Sequence, residues 1–546
     1  MRVPLIFFLI APLLLLPAVP AATQHHDHPA GDPEKLGKVS FPVSCKPAAQ
    51  QQFNRAMAML HSFWYAKAEK EFRTVAEKDP ACAMAYWGVA MSQYRLLWEF
   101  PGAEELKIGG AAIARAKELG AKTRRERDYI AALDAYYGDS GQTDNATRAR
   151  NYERAMADLY RRHPDDLDAG MFYALTLLRN GLPPDKTYAN QKKAGAIAER
   201  AFRRLPEHPG AAHYVIHSYD YPPLADRALE AARRYAKVAP DAPHALHMPS
   251  HIFTRLGLWD ESVQSNLDSA AAARKYEWPG EELHAMDYLM YAYLQKGEDR
   301  KAAALLSSPP AVKLGEPSAF AGFFARAAMP ARYALERNCW EEATKLEAPP
   351  NMFPGGRYAW TEATFAFARG LGAARTGELA TARAAIAQLE SAHQTLVGNK
   401  EPYWAGQVDI QRQIVAAWLA LAENKPEEGL KMMRAAADAE DATDKHPVTP
   451  GAIRPARELL GEMLIERKRG AEALPEFEAV LKATPRRFNA LYGAGRAAEL
   501  AGNAAKASEY YSMLIDLTRE GDDARAELTA AREFLAKHPP ASASRK

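Results

Sequence analysis

The stretch Pro455–Thr518, PARELLGEMLIERKRGAEALPEFEAVLKATPRRFNALYGAGRAAELAGNAAKASEYYSMLIDLT, decides the fold. Within it Gly461, Ala473 and Phe477 are followed 34 positions later by Gly495, Ala507 and Tyr511. That period belongs to stacked helix–turn–helix units. The small residues let two helices of a unit approach closely, the aromatic fills the space between units, and Pro485 stops the second helix before the next unit begins.

The same grammar extends outward to the amino-terminal end. Ala68, Phe72 and Pro80 in YAKAEKEFRTVAEKDP repeat the spacing and are followed by Trp87-Gly88 in AYWGVAMS. Ala228 and Pro240 repeat it in LADRALEAARRYAKVAP, while Gly257 and Gly297 mark turns between paired helices. No stretch of useful length alternates as a strand would, so the fold class is all-α, an α-solenoid. Pro- and Gly-rich breaks at SSPPAVKLGEPSAF, LEAPPNMFPGGRYAW and DKHPVTPGAIRP interrupt the packing. They divide the expected chain into an array over 45–306, an irregular helical segment over 307–454 and regular repeats over 455–540, possible halves of one superhelix.

These phrases, with LHSFWYAKAEKEF, DPACAMAYWGVAMS, HYVIHSYDYP, APHALHMPSHIFTRLGLW and RFNALYGAGRAAELAG, resemble the tetratricopeptide-repeat proteins, and more narrowly a group of exported bacterial ones. The resemblance covers nearly all of the chain after its first residues. It implies a right-handed superhelix whose first helices line a concave groove where ligands bind. It implies no reaction.

The first residues read as an address. Met1-Arg2 is a short basic start, Pro4–Pro20 is apolar, and Ala18–Ala22 offers small residues for cleavage. A signal peptide over 1–22 predicts a periplasmic or secreted protein, followed over 23–44 by a flexible lead-in containing His25, His26 and His28. No later stretch is apolar for the roughly 20 residues a bilayer span needs, so no membrane contact is expected after cleavage. With 70 Lys plus Arg against 68 Asp plus Glu, nucleic acid has no electrostatic footing. In an oxidising compartment Cys45 and Cys82, which flank the first helix pair, are either bonded to each other or small buried thiols like Cys339.

Seven of the 15 histidines fall between His208 and His284. Groove-facing positions on the first helix of a unit are the second, fifth and ninth, about one turn apart. Counting from the repeat landmarks places His213 and His217 fifth and ninth, His244, His247 and His251 second, fifth and ninth, and His284 second with Asp287 fifth. Asp220 continues the His213–His217 stripe. Three neighbouring helices thus offer six candidate metal ligands, His213, His217, His244, His247, His251 and His284, to one surface. His208, beside Pro209 at a helix start, is set aside as a hydrogen-bonding residue.

Pro249 either kinks one helix between His247 and His251 or begins a helix of its own. Trp87, Tyr94 and Tyr291 extend the same surface as candidate ligand-binding residues beside Asp220 and Asp287, with packing between repeats the competing role for Trp87. Neither G-x-S-x-G nor H-E-x-x-H occurs, and Ser250 beside His251 points about 100° away from it on a helix. Two functions follow. One is a solenoid whose groove binds a peptide, protein or small-molecule ligand. The other is a transition-metal-binding protein or metal-dependent enzyme holding Zn, Cu, Ni or Fe on the groove histidines.

Overall fold

Helix follows helix in antiparallel pairs throughout the computed structural model, which describes residues 34–539 apart from 96, 98, 139–142, 184, 317, 351, 354 and 355. Among the described residues there is no strand, and no helix is long and apolar enough to cross a membrane. The expected signal peptide, and His25, His26 and His28, lie outside them. The regular pairs are Ala456–Glu466 with Gly470–Ala483 and Phe488–Leu500 with Ala504–Leu517. A Cβ on Gly461 would come within 2.6 Å of Phe477, and one on Gly495 within 2.5 Å of Tyr511. The small residues of the 34-residue period are therefore the seats of its aromatics, which is why they recur together.

Residues 35–44, expected as part of a flexible lead-in, form an extended strap that is held at several points. Asp241 accepts from the Lys35 amide at 2.7 Å, the Glu207 carbonyl accepts from the Lys38 amide at 2.8 Å, and Glu126 accepts from the amide and hydroxyl of Ser44, both at 2.6 Å. Phe41 is completely buried and stacks on Trp87 with ring centroids 5.8 Å apart. Burial of one aromatic ring and satisfied backbone donors fix a segment that composition alone reads as loose. Cys45, at the end of the strap, is disulfide-bonded to Cys82 across 4.9 Å between Cα atoms.

The carboxy-terminal repeats fold back onto the middle of the chain, and from Lys35 onward the residues form one compact unit. Trp259 Nε1 donates to the Arg486 carbonyl at 2.9 Å, and the Phe488 amide donates to Gln295 Oε1 at 3.0 Å. Arg487, fully buried, donates to Glu458 at 2.6 Å and to Glu336 at 2.7 Å, and its remaining nitrogen reaches Tyr291 Oη at 3.1 Å. One result is the helix Pro279–Gln295, in which every residue from Gly280 to Gln295 is buried. A helix enclosed all round is normally apolar. This one carries Glu281, Glu282, His284, Asp287 and Gln295, so each needs a partner inside the protein.

Candidate metal centre

Three elements carry the six histidines. Pro209–Tyr219, buried along its whole length, holds His213 and His217 and ends at Asp220. Pro243–His247 and Pro249–Leu256 meet at Met248, whose backbone stays helical. Pro249 thus begins a helix of its own, with His244 and His247 on the short helix before it. His284 comes from the central helix Pro279–Gln295. All six are buried, between 0% and 6% exposed, where repeat counting expects them on an open groove wall.

They divide into two triads. His213, His217 and His244 each offer one ring nitrogen such that all lie within 4.8 Å of one another, and His247, His251 and His284 do the same. Ring centroids in the second triad are 4.1 Å apart for His247 and His284 and 4.9 Å for His247 and His251. Across the triads His244 and His247 stand 6.0 Å apart and His217 and His251 6.3 Å, so the rings form one continuous array.

The partners of the outer nitrogens set the tautomers. His213 Nδ1 is 2.7 Å from the carbonyl oxygen of His61, His244 Nδ1 is 2.7 Å from Glu281 Oε1, and His251 Nδ1 is 2.9 Å from Asp220 Oδ2. His247 Nδ1 is 2.6 Å from Asn266 Oδ1, whose amide is oriented by donating to the Ser262 carbonyl at 2.7 Å. Each of these oxygens only accepts, so each Nδ1 carries the proton and each Nε2 presents a lone pair. An oxygen acceptor behind a ring with the other nitrogen free for a metal is how metal-binding histidines are oriented. Among the described residues Nε2 of His213 and Nε2 of His284, both buried, meet no hydrogen-bond partner. Nε2 of His247 and Nε2 of His251 face each other at 2.9 Å, lone pair against lone pair, unless a cation lies with them.

Electrostatics keeps five of the rings, those of His213, His217, His247, His251 and His284, uncharged. Burial, reinforced by the neighbouring imidazoles, pushes His213, His217, His247 and His284 well below the ordinary imidazole range. Burial also takes His251 down to about 4 against the pull of Asp220. Metal ligands have to be neutral imidazoles, and this site enforces that form. Burial opposes the charge on Asp220, but Lys445 at 2.5 Å, Arg255 at 3.0 Å and His251 outweigh it and hold the carboxyl well below its usual range. Tyr288 completes the support: its hydroxyl donates to the Thr449 carbonyl at 3.0 Å and lies 3.2 Å from His251 Nδ1.

Among the described residues the remaining candidates fall elsewhere. Asp287 belongs to neither triad; burial raises its pKa to about 6, opposed by Arg332, whose Nε lies 3.3 Å from it. Trp87 and Tyr94, each 1% exposed, sit in the amino-terminal core, Trp87 against Phe41 and Phe172 and Tyr94 against Tyr136 and Tyr152. They fill space between helices and have no face on a groove. Tyr291 does line a cavity, one of about 680 Å³ shared with Arg255, Trp360, Tyr403, Trp404 and Lys445.

Sequence reading missed the layer around the rings. Asn266, Glu281, Tyr288, Arg255 and Lys445 come from helices and turns with no motif that marks them. It also missed a third group, His61, Asp168 and His208, in which one carboxylate oxygen lies 3.0 Å from His61 Nε2 and 3.3 Å from His208 Nε2. His208 thus belongs to a buried cluster. Here the carboxylate already answers the two rings, and the His61 carbonyl supports His213 from beneath.

No family model and no curated protein matches the chain. Among solved structures it is similar to "Structure of Naa15/Naa10 bound to HypK-THB", at 13% identity over 90% of this chain and 73% of that one, with a TM-score of 0.21. It is also similar to "Human IFIT1 dimer with m7Gppp-AAAA", at 11% identity over 80% of this chain and 90% of that one, with a TM-score of 0.36. At those scores neither carries an argument, and the fold rests on the paired helices and their 34-residue seats.

Proposed function

We propose that this protein is an exported α-solenoid that holds transition-metal ions in its buried six-histidine centre. The observation that carries the reading is the orientation of four rings, His213, His244, His247 and His251, each with an oxygen acceptor on Nδ1. Uncharged imidazoles without thiolates suit Zn, Cu, Ni or Fe. The apolar stretch Pro4–Pro20 and the Cys45–Cys82 disulfide support an oxidising compartment outside the cytoplasm.

The test is metal analysis of the untagged full chain carrying H25S, H26S and H28S, so that the leading histidines contribute nothing. Bound metal that survives exhaustive dialysis and falls on His213→Ala and on His284→Ala supports the reading. A chain that binds none after incubation with each of the four metals removes its basis.

The cavity of about 680 Å³ supports a second role, binding of an organic ligand, since its volume matches small-molecule sites and Tyr291, Trp360 and Trp404 offer ring faces. It reaches the centre through Lys445 and Arg255, which hold Asp220 behind His251. A solenoid that only binds a peptide or protein would leave the inward-facing imidazole nitrogens without a purpose.

A further inference from the structure

We propose that the two triads are the halves of one dinuclear centre, and that a small anion enters through the neighbouring cavity to bridge the two ions. The inference rests on the metal reading above and goes beyond it in stoichiometry, coupling and ligand class. Four observations lead to it.

The first is distance. The ring centroids of His217 and His251, which belong to different triads, are 6.3 Å apart, and those of His251 and His284, within one triad, are 6.1 Å apart. Ions placed at the two foci are close neighbours, in the manner of two-metal sites whose ions share a ligand. The second is coordination number. Three imidazoles per ion leave a position open, which is how sites that accept an outside ligand differ from closed structural ones.

The third is charge. Six imidazole ligands supply no negative charge to two divalent ions enclosed in protein. Glu281, which also lines the cavity, is engaged by the ring of His244 and the hydroxyl of Ser318, and Asp220, behind His251, is already answered by Lys445 and Arg255. Two like charges so near each other in a poorly polarisable interior repel strongly. An anion between them turns that repulsion into attraction on both sides.

The fourth is space. A cavity of about 60 Å³ is walled by His244 from one triad and His284 from the other, with Phe63, Phe320 and Ala321 around them. A buried site needs only about 10–15 Å³ by this measure to hold a water, while organic ligands need about 300 Å³ or more. The cavity therefore suits a diatomic or triatomic species such as hydroxide or azide and excludes an organic substrate. Arg95 brings a positive charge to its wall, beside Glu99, Glu281, Glu316 and Ser318, so the cavity offers an anion one cationic side chain besides the metal positions.

The experiment uses the full chain with H25S, H26S and H28S, loaded with Cu(II), because paired copper ions bridged by an anion lose their electron paramagnetic resonance signal. The expected result is about two copper ions per chain, most of them silent, while His213→Ala and His284→Ala each keep about one copper with its full signal. Azide should produce a charge-transfer band in the loaded protein, and Ala321→Leu, which fills the cavity without touching a ligand, should weaken azide binding about tenfold or more. Ala319→Leu on the same wall is the second variant, used with Ala321→Leu after each is shown to be folded by circular dichroism.

Two coppers per chain with full signal intensity would overturn the dinuclear assignment and leave the metal reading standing. So would a wild type that takes up only one. Azide bound equally well by both cavity variants would overturn the ligand route. A chain without copper sinks both proposals together.

Discussion

The helix Pro279–Gln295 passes two buried polar clusters, and they are completed in opposite ways. Near its carboxy end Tyr291 touches Arg487, whose charge is met by Glu336 at 2.7 Å and Glu458 at 2.6 Å. Near its amino end His284 lies against His247, and there lone pairs converge with no cation bonded to them among the described residues. The first cluster balances its charges within the chain and so serves the fold. The second is assembled with comparable care, acceptor behind ring, but leaves its centre to be supplied from outside. A buried polar group that is partnered reports on stability, and one held in place without a partner reports on function.

The comparison can be broken most forcefully at the complete cluster. Arg487→Met leaves two buried carboxylates, Glu336 and Glu458, to share the single guanidinium of Arg454, and should cost about 3–5 kcal/mol of unfolding free energy, read from urea denaturation. A loss under 1 kcal/mol would show that the network does not hold the carboxy-terminal repeats down. At the incomplete cluster the sign reverses. Adding the cognate metal at about 100 times its Kd should stabilise the protein by about 2.7 kcal/mol, seen as a rise in melting temperature that a chelator reverses. The absence of any rise would make the two clusters equivalent.

A smaller effect tests the orientation of a single ring. Asn266→Leu removes the acceptor behind His247 while keeping volume, and should weaken metal binding by about 10–100-fold, measured by competition with a chromophoric chelator. Unchanged affinity would show that the ring needs no support. The smallest effect concerns a histidine outside both clusters. Burial among aromatic rings, with Lys445 next to it, takes His446 down to about 3, and its ring lies 5.2 Å from that of Phe320 and 5.3 Å from that of Trp404. Between about 3 and the ordinary value near 6.5 the unfolded chain binds the extra proton. The contribution of His446 is therefore intact above about pH 6.5 and is lost as pH falls, by up to about 1.4 kcal/mol per pH unit. Urea midpoints measured from pH 7 to pH 5 should fall less steeply for His446→Phe than for the natural chain, and equal slopes would refute the assignment.

What was legible in the sequence is what one helix pair determines. The 34-residue recurrence of Gly461 and Phe477 as Gly495 and Tyr511 encodes a contact inside a unit, so it could be read locally. The six histidines could be gathered for the same reason, because a spacing of four keeps His213 with His217 and His247 with His251 on one stripe. Their division into triads could not be seen. His244 and His247, three residues apart, are separated by about 60° around the helix, and the step at Pro249 carries the later rings toward the central helix. Enclosure was also invisible, since it comes from repeats some 200 residues further on folding back over Pro279–Gln295. Asn266, Glu281 and Lys445 have no signature because an acceptor behind a ring is specified by direction and not by spacing. Trp87 and Tyr94 were assigned a groove face by counting, whereas the strap through Phe41 buries Trp87 beneath it.

That strap imposes an order of events on a chain that emerges from its amino end. Residues 35–44 precede the elements they join, and their distant partners Glu126, Glu207 and Asp241 follow at widening intervals. Phe41 and Val43 can pair at once with Asn54 and Gln50, but the Lys35 end has to wait for Asp241, 206 residues further on, before the whole strap can lie across the finished helices. Cys45 and Cys82 can meet as soon as the first helix pair exists. Their bond would then act as a mooring line, keeping the end of the strap beside its berth while the rest of the array is built.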